Sequence, residues 1–284
     1  MQAPEAQRAV AAARSAASAL GLAVDDVVVL QDSNRLVLRL MPCDLVARVA
    51  PMTHRRSAEF EVELARGLAA TDSPVAALDR RVEPRAYERD GFVMNMWTYY
   101  EPVPDQVPPA DYAHALVRLH AGLRQVDIAT PHFTHRVAEA QRLVASRDRT
   151  PALAEADREL LADTLRRRRQ GIVHRGAPEQ LLHGEPHPGN LLSTKTGLRF
   201  IDLETCCRGP VEFDLAHVPG EVGEHHPGAD QELLRDCRSL VLAMVAAWRW
   251  DRDDHYPDGR RAGRELLDAL RAGPPWPTLD DMSP

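Results

Sequence analysis

The stretch Leu181–Ala216, LLHGEPHPGNLLSTKTGLRFIDLETCCRGPVEFDLA, constrains this chain more than any other. Within it, Glu185 and Asn190 stand five positions apart after a His-Gly pair. Two short apolar runs follow, Leu191–Leu192 and Leu198–Leu203, joined by Ser-Thr-Lys-Thr-Gly, and Asp202 sits at the end of the second. The pattern predicts a loop, a hairpin with a Gly-containing turn, and a carboxylate at the strand exit. Such an arrangement would aim Glu185, Asn190 and Asp202 at one spot. A carboxylate able to accept a proton, beside an amide oxygen and a carboxylate suited to magnesium, fits phosphoryl transfer to a hydroxyl.

Other chemistries compete for the same residues. His183 and His187 form an HxxxH, which could mark a zinc hydrolase, but Pro186 and Pro188 break the helix that a zincin site needs. Taken singly, Glu185 and Asp202 are ordinary loop carboxylates that satisfy backbone donors. Only the combined spacing points to catalysis.

A chain of 284 residues can bury a sizeable core, as one large domain or two lobes. No apolar run approaches the roughly 20 residues needed to span a bilayer. The start, Met-Gln-Ala-Pro-Glu-Ala, lacks the basic and apolar regions of a secretory leader, so a cytoplasmic protein is expected. Cys43, Cys206, Cys207 and Cys237 show no CxxC spacing, and free thiols are expected. Residues 211–284 carry 15 carboxylates and 8 arginines, which accounts for the whole net charge of −7. That balance argues against a nucleic-acid partner. An acidic C-terminal part could attract a cationic substrate, or could simply be a solvated surface.

Along the chain, residues 5–20 read as an Ala-rich helix. Strands are expected at Val27–Leu30, Arg35–Leu40 and Leu45–Val49, the second alternating cleanly through Leu36, Leu38 and Leu40. Gln31-Asp32-Ser33-Asn34 is a turn-prone connection. A helix over 57–70 presents Glu59, Glu61 and Glu63; at about 100° per residue, Glu61 lies nearest the apolar face of Phe60, Leu64 and Leu68. Strands around Glu83–Glu88 and Phe92–Met96 follow, and Trp97 to Pro109 reads as a linker. The remainder is mostly helical: 110–124, 132–147, 152–169, then 211–217, 229–249 and 259–271. Thr150-Pro151 would start the third of these, and Arg166–Arg169 would close it against the helix dipole. His120 reads as a core histidine.

His183-Gly184-Glu185, Asn190, Ile201-Asp202, Gly209-Pro210 and Asp214-Leu215-Ala216 together resemble the aminoglycoside phosphotransferase and choline kinase group, relatives of protein kinases. The resemblance implies a two-lobed α+β, protein-kinase-like fold. An antiparallel-sheet N-lobe would span 1–100, and a helical C-lobe carrying the catalytic hairpin would span 101–284. It implies a kinase that transfers the γ-phosphoryl of ATP or GTP, with Mg²⁺, to a hydroxyl of a small, cationic acceptor such as an aminoglycoside, with choline, an amino alcohol, a sugar or a macrolide left open. Such a kinase would act as a monomer, away from membranes and nucleic acids. Glu185 takes the catalytic-base position, where the group usually has Asp; Asn190 and Asp202 take the magnesium positions; Asp214 braces the loop. Ser33 and Asn34 fall in the hairpin that covers the phosphates, Arg48 takes the phosphate-gripping position, and Glu61 is its helix partner. Met96, Trp97 and Tyr99 are the adenine candidates. Arg48 stands in for lysine, because the single lysine of the chain is Lys195. The alternative is a nucleotide-binding pseudokinase, suggested by Glu185, Arg48 and the glycine-free hairpin.

Overall fold

The computed structural model describes residues 1, 3–33, 35–104 and 106–282. The chain divides into two compact units, Met1–Asp105 with Gln125–Ile128 and Leu192–Glu204, and Gln106–Arg124 with Ala129–Leu191 and Thr205–Pro284.

The first unit opens with helix α1 (Ala3–Ala19), followed by strands β1 (Val24–Asp32), β2 (Leu36–Pro42) and β3 (Leu45–Pro51), helix α2 (Arg55–Leu68), and strands β4 (Tyr87–Arg89) and β5 (Phe92–Thr98). The strands form one antiparallel sheet in the order β1-β2-β3-β5-β4. Alternation sorts their side chains. Leu36, Leu38 and Leu40 pack with Ala47, Val49, Met94 and Met96 against Ala9, Ala12, Ala13, Ala16 and Ala17 of α1. Alanines at helical spacing let α1 lie close to the sheet. The opposite face carries Arg48 and Asn95, which are register partners in β3 and β5.

Asp90 and Gly91, both at positive φ, make the Asp-Gly turn that joins β4 to β5. The strand expected at Glu83–Glu88 is much shorter than its sequence suggests. Pro84 has no amide to donate and the Arg85 amide donates to Glu83 O, so regular pairing begins only at Tyr87.

The second unit holds helices α3 (Pro109–Leu123), α4 (Phe133–Ala145) and α5 (Glu155–Arg175) and strand β6 (Gln180–Leu182). After the hairpin of β7 (Leu191–Thr194) and β8 (Gly197–Phe200) come β9 (Cys207–Gly209), α6 (Val211–Leu215), α7 (Gly220–Glu224), α8 (Gln231–Arg249) and α9 (Gly259–Ala272). Helix α8 is buried along much of its length, and its N-terminus is capped by Asp230, whose carboxylate accepts from the amides of Glu232 and Leu233.

Three expectations change here. The β7–β8 hairpin, assigned from sequence to the C-terminal lobe, clusters with the first unit. Its backbone bonds explain why: Ala76 N donates to Phe200 O, Phe200 N to Pro74 O, and Val103 N to Ser193 O. Helix α5 begins at Glu155 rather than after Thr150. The Thr150 hydroxyl instead donates to Ser146 O at the end of α4 and accepts from Arg158. The Arg166–Arg169 run lies inside α5, which continues past Gly171 to Arg175 and ends where Gly176 turns left-handed at φ 59°. Arg168 reaches across to Asp236 of α8 at 2.6 Å. Cys43, Cys206, Cys207 and Cys237 are free thiols. Among the described residues no helix is long and apolar enough to cross a membrane.

Leu38 is fully buried between sheet and α1. Leu38→Ala should cost about 2–5 kcal/mol of unfolding free energy, read from urea denaturation. A change below about 1 kcal/mol would show that α1 does not close this core.

Candidate active site

In the second unit, the loop after β6 is fixed by one carboxylate. Asp214, on α6, is fully buried. It accepts from the His183 amide at 3.0 Å, the Gly184 amide at 2.7 Å and His120 Nε2 at 2.9 Å. Burial pushes its carboxyl pKa up, but His120 and the amides more than offset this, and it stays below the usual carboxylate range. Gly184 must be glycine for two reasons. Its φ is +89°, and a Cβ there would stand 2.1 Å from Thr205 O. The Thr205 hydroxyl donates to His183 O, and the Tyr112 hydroxyl donates to Pro186 O.

The two histidines of the HxxxH serve the loop itself. His183 Nδ1 accepts from the Glu185 amide, and His187 Nδ1 accepts from the Gly189 amide at 3.1 Å. Asn190 Nδ2 donates to Glu185 O at 2.9 Å, which leaves the amide oxygen Oδ1 for a cation.

Glu185 is a quarter or less exposed and pairs with Arg136 from the first turn of α4. The Arg136 guanidinium lies over the Trp248 ring at 5.1 Å. Burial pushes the Glu185 carboxyl up; Arg136 pulls it down further, so it lies below its ordinary value. His217 is buried beside the pair, bonded through Nδ1 to Phe213 O at 2.8 Å. Burial pushes its pKa down to about 4, so it is neutral at neutral pH. Sequence reasoning missed Arg136, His217 and Trp248, since none belongs to a spaced motif.

In the first unit a second buried carboxylate organises a group of cations. Of the three acids on α2, Glu59 and Glu63 are exposed and Glu61 is fully buried. Glu61 pairs with Arg48, approaches Arg35 Nη1 at 3.5 Å and accepts from Asn95 Nδ2 at 2.9 Å. Arg48 Nη2 also donates to Asp202 Oδ1 at 2.8 Å. Burial works against the Arg48 charge, but Glu61 and Asp202 more than offset it and raise its pKa. Asp202 holds a left-handed backbone, φ 65°, where its chain leaves β8. Arg35 bridges Glu61, Ser57 and Glu204, and nothing in the motif pointed to it.

The remaining nucleotide candidates are placed differently from one another. The Ser33 amide is engaged with Arg35 O in the hairpin turn. Asn34 lies outside the described residues. Met96 is buried in the α1 core, on the face of the sheet away from Arg48, because side chains alternate along β5. Its side chain is therefore not an adenine contact; its carbonyl accepts from Asp79 N. Trp97 shares the Arg48 face and is 6% exposed. Tyr99 lies under the Arg39 guanidinium at 3.8 Å.

The sequence matches the model of the family described as phosphotransferase enzyme family over residues 17–252. The chain belongs to that family. It is a phosphotransferase with an α+β, protein-kinase-like fold. Solved structures share that fold. Aminoglycoside 2′-phosphotransferase-IIIa in its GDP complex aligns with TM-score 0.67 and 16% identity, over 92% of this chain and 97% of its own. Choline kinase LicA from Streptococcus pneumoniae aligns with TM-score 0.67 and 14% identity, over 92% and 98%. Amicoumacin kinase hAmiN, in complex with AMP-PNP, Ca²⁺ and Ami, aligns with TM-score 0.66 and 13% identity, over 87% and 88%. No curated protein matches the sequence of this phosphotransferase.

Gly184→Ala should abolish turnover of the phosphotransferase, because the loop cannot keep both its φ and the Thr205 approach. Full activity with unchanged melting temperature would show that the loop is built otherwise. The Arg136–Glu185 pair also sets a pH dependence. The folded carboxyl is depressed, so the pair stabilises the fold above the unfolded Glu value of about 4.3, and that stability is lost as pH falls through the folded value. Arg136→Met should therefore lose stability at pH 7 and little at acid pH, seen by comparing melting temperatures across pH 2.5–7 (roughly the window set by carboxyl titration). An equal loss at both ends would refute the ionic pair.

Proposed function

We propose that this phosphotransferase moves the γ-phosphoryl group of ATP or GTP to a hydroxyl of a small-molecule acceptor, with Glu185 as the base. The carrying observation is the loop itself. An ionised carboxylate and an amide oxygen are held five residues apart by an Asp214 brace that leaves the backbone no slack.

Asn190 Oδ1 in the second unit and the Asp202 carboxylate in the first are each an oxygen ligand of the kind magnesium takes. Held by such ligands with the nucleotide, Mg²⁺ would neutralise charge on the phosphates. Arg48, held by Glu61 and Asp202, would bring guanidinium charge to the phosphate oxygens. Glu185 accepts the acceptor hydroxyl proton as the oxygen–phosphorus bond forms. The bond from the γ-phosphorus to the bridging oxygen breaks, and the nucleoside diphosphate leaves with its electron pair. A loose transition state needs this proton late, so Glu185 mainly orients the hydroxyl. The AMP-PNP and GDP complexes of the similar kinases support a nucleotide donor and leave both bases open for this chain.

Two of the three features that favoured a pseudokinase are compatible with turnover. Glu185 is ionised within the braced loop, and Arg48 has the acidic helix partner expected of a phosphate-gripping cation.

The reading is tested by Mg²⁺-dependent turnover over a library of metabolites and antibiotics, with two variants. Asp202→Ala should abolish metal-dependent turnover in a folded protein. Glu185→Gln should lower kcat on the order of 10²–10⁴-fold while nucleotide affinity stays unchanged. Parent-like turnover in either variant removes that residue from the mechanism.

A further inference from the structure

The dipole of α5 does not account for the whole Arg166–Arg169 run. A helix end favours cations only within its last turn, and Arg166 and Arg169 stand more than a turn before Arg175, where α5 ends. Ion pairs absorb part of the run. Arg166 and Arg167 share one carboxylate, Asp163, and Arg168 crosses to Asp236. Among the described residues Arg169 has no carboxylate partner; its Nη1 donates to Gln141 Oε1 of α4 at 3.4 Å, a long hydrogen bond.

Arg166, Arg169, Gln170, Val173 and His174 recur at i, i+3, i+4, i+7 and i+8, so they form one stripe of α5. Another stripe, Arg158, Leu161, Leu165 and Ile172, is the one that α5 buries. The first stripe stays open, and with Gln141 it lines a groove of about 570 Å³ between α4 and α5. Arg166, Gln170, Val173 and His174 are exposed and Arg169 is half-buried, so a solute can reach the donors of the groove. No carboxylate lines it.

These side chains select a ligand by charge and shape. Arg166 and Arg169 stand three positions apart, a spacing at which like charges destabilise a helix. An anion between them turns that repulsion into attraction, and phosphate oxygens match a guanidinium in both charge and fork geometry. The Gln141 and Gln170 amides add neutral donors. Val173 is one of the few large apolar side chains exposed among the described residues, and it asks for an apolar surface to cover it. The volume is that of a small-molecule site. A membrane surface fits less well, since a helix lying on a bilayer presents a whole face of large apolar residues and α5 exposes only Val173.

We propose that the α4–α5 groove binds a small organic phosphate, with Arg166 and Arg169 on the phosphate and Val173 against its apolar body. Gln141 and Arg136 are five positions apart on α4, which turns their side chains about 140° from each other, so this groove is separate from the Arg136–Glu185 pair. The proposal does not depend on which acceptor the kinase phosphorylates.

Phenyl phosphate, inorganic phosphate and phenol are titrated into the full chain by calorimetry, with Mg²⁺ and a non-hydrolysable nucleotide present to fill the nucleotide site. Phenyl phosphate should saturate and bind tighter than either fragment. Arg169→Gln should weaken phenyl phosphate ten-fold or more (about 1.4 kcal/mol) in a protein that melts near the parent temperature, and Arg166→Gln should weaken it as well. Val173→Ser should weaken phenyl phosphate and leave inorganic phosphate unchanged. Phenyl phosphate that fails to saturate, phenol that binds as tightly, or parent-like affinity in Arg169→Gln overturns the proposal. So does a chain that ignores phenyl phosphate yet adheres to vesicles of phosphatidylcholine and phosphatidylserine, which would make the stripe a membrane contact.

Discussion

A single buried carboxylate, Asp214, determines where the loop that follows β6 can be. It has no contact with solvent, and it draws the first two amides of the loop and a histidine from α3 onto its two oxygens. An ion buried this deeply persists only if donors surround it, so its position and theirs are mutually fixed. Gly184, pressed against Thr205 O, removes the remaining freedom. Everything that follows in the chain, Glu185 and Asn190 included, inherits its place from that constraint. Glu61 does the same work in the first unit, where it collects Arg48, Arg35 and Asn95 on an inaccessible carboxylate.

The parts of this arrangement that were legible in the sequence are those with local periodicity or fixed spacing. Leu36, Leu38 and Leu40 alternate, so β2 and its core face were readable. The helical wheel of α2 separated Glu61 from Glu59 and Glu63, because only one acid sits beside the apolar face. The His-Gly-Glu loop and Asp202 were readable as a set. Residues recruited from far along the chain were not. Arg136 reaches Glu185 across 49 positions, and Arg35 reaches Glu204 across 169. Pairings of that kind leave no periodic trace. Local signals also misled where tertiary contacts outweighed them. Thr150 looked like a helix start but is held by Ser146 and Arg158, and Met96 looked like a ligand contact but follows the strand alternation into the core.

Net charge says little about the field at any one place. The C-terminal acids are distributed along helices where arginines meet them.

Arginine at position 48 has a chemical consequence for labelling beside Glu61. The one lysine of the chain, Lys195, is three-quarters exposed in a hairpin turn and paired with Glu101 at 2.7 Å. Acylating reagents and reactive nucleotide analogues that trap an active-site amine in lysine-dependent kinases therefore meet no such amine beside Glu61. Reagents selective for guanidinium groups, such as dicarbonyls, are the ones with a target there. The charge at position 48 is also indifferent to alkaline pH, since a guanidinium paired with two carboxylates does not give up its proton in water.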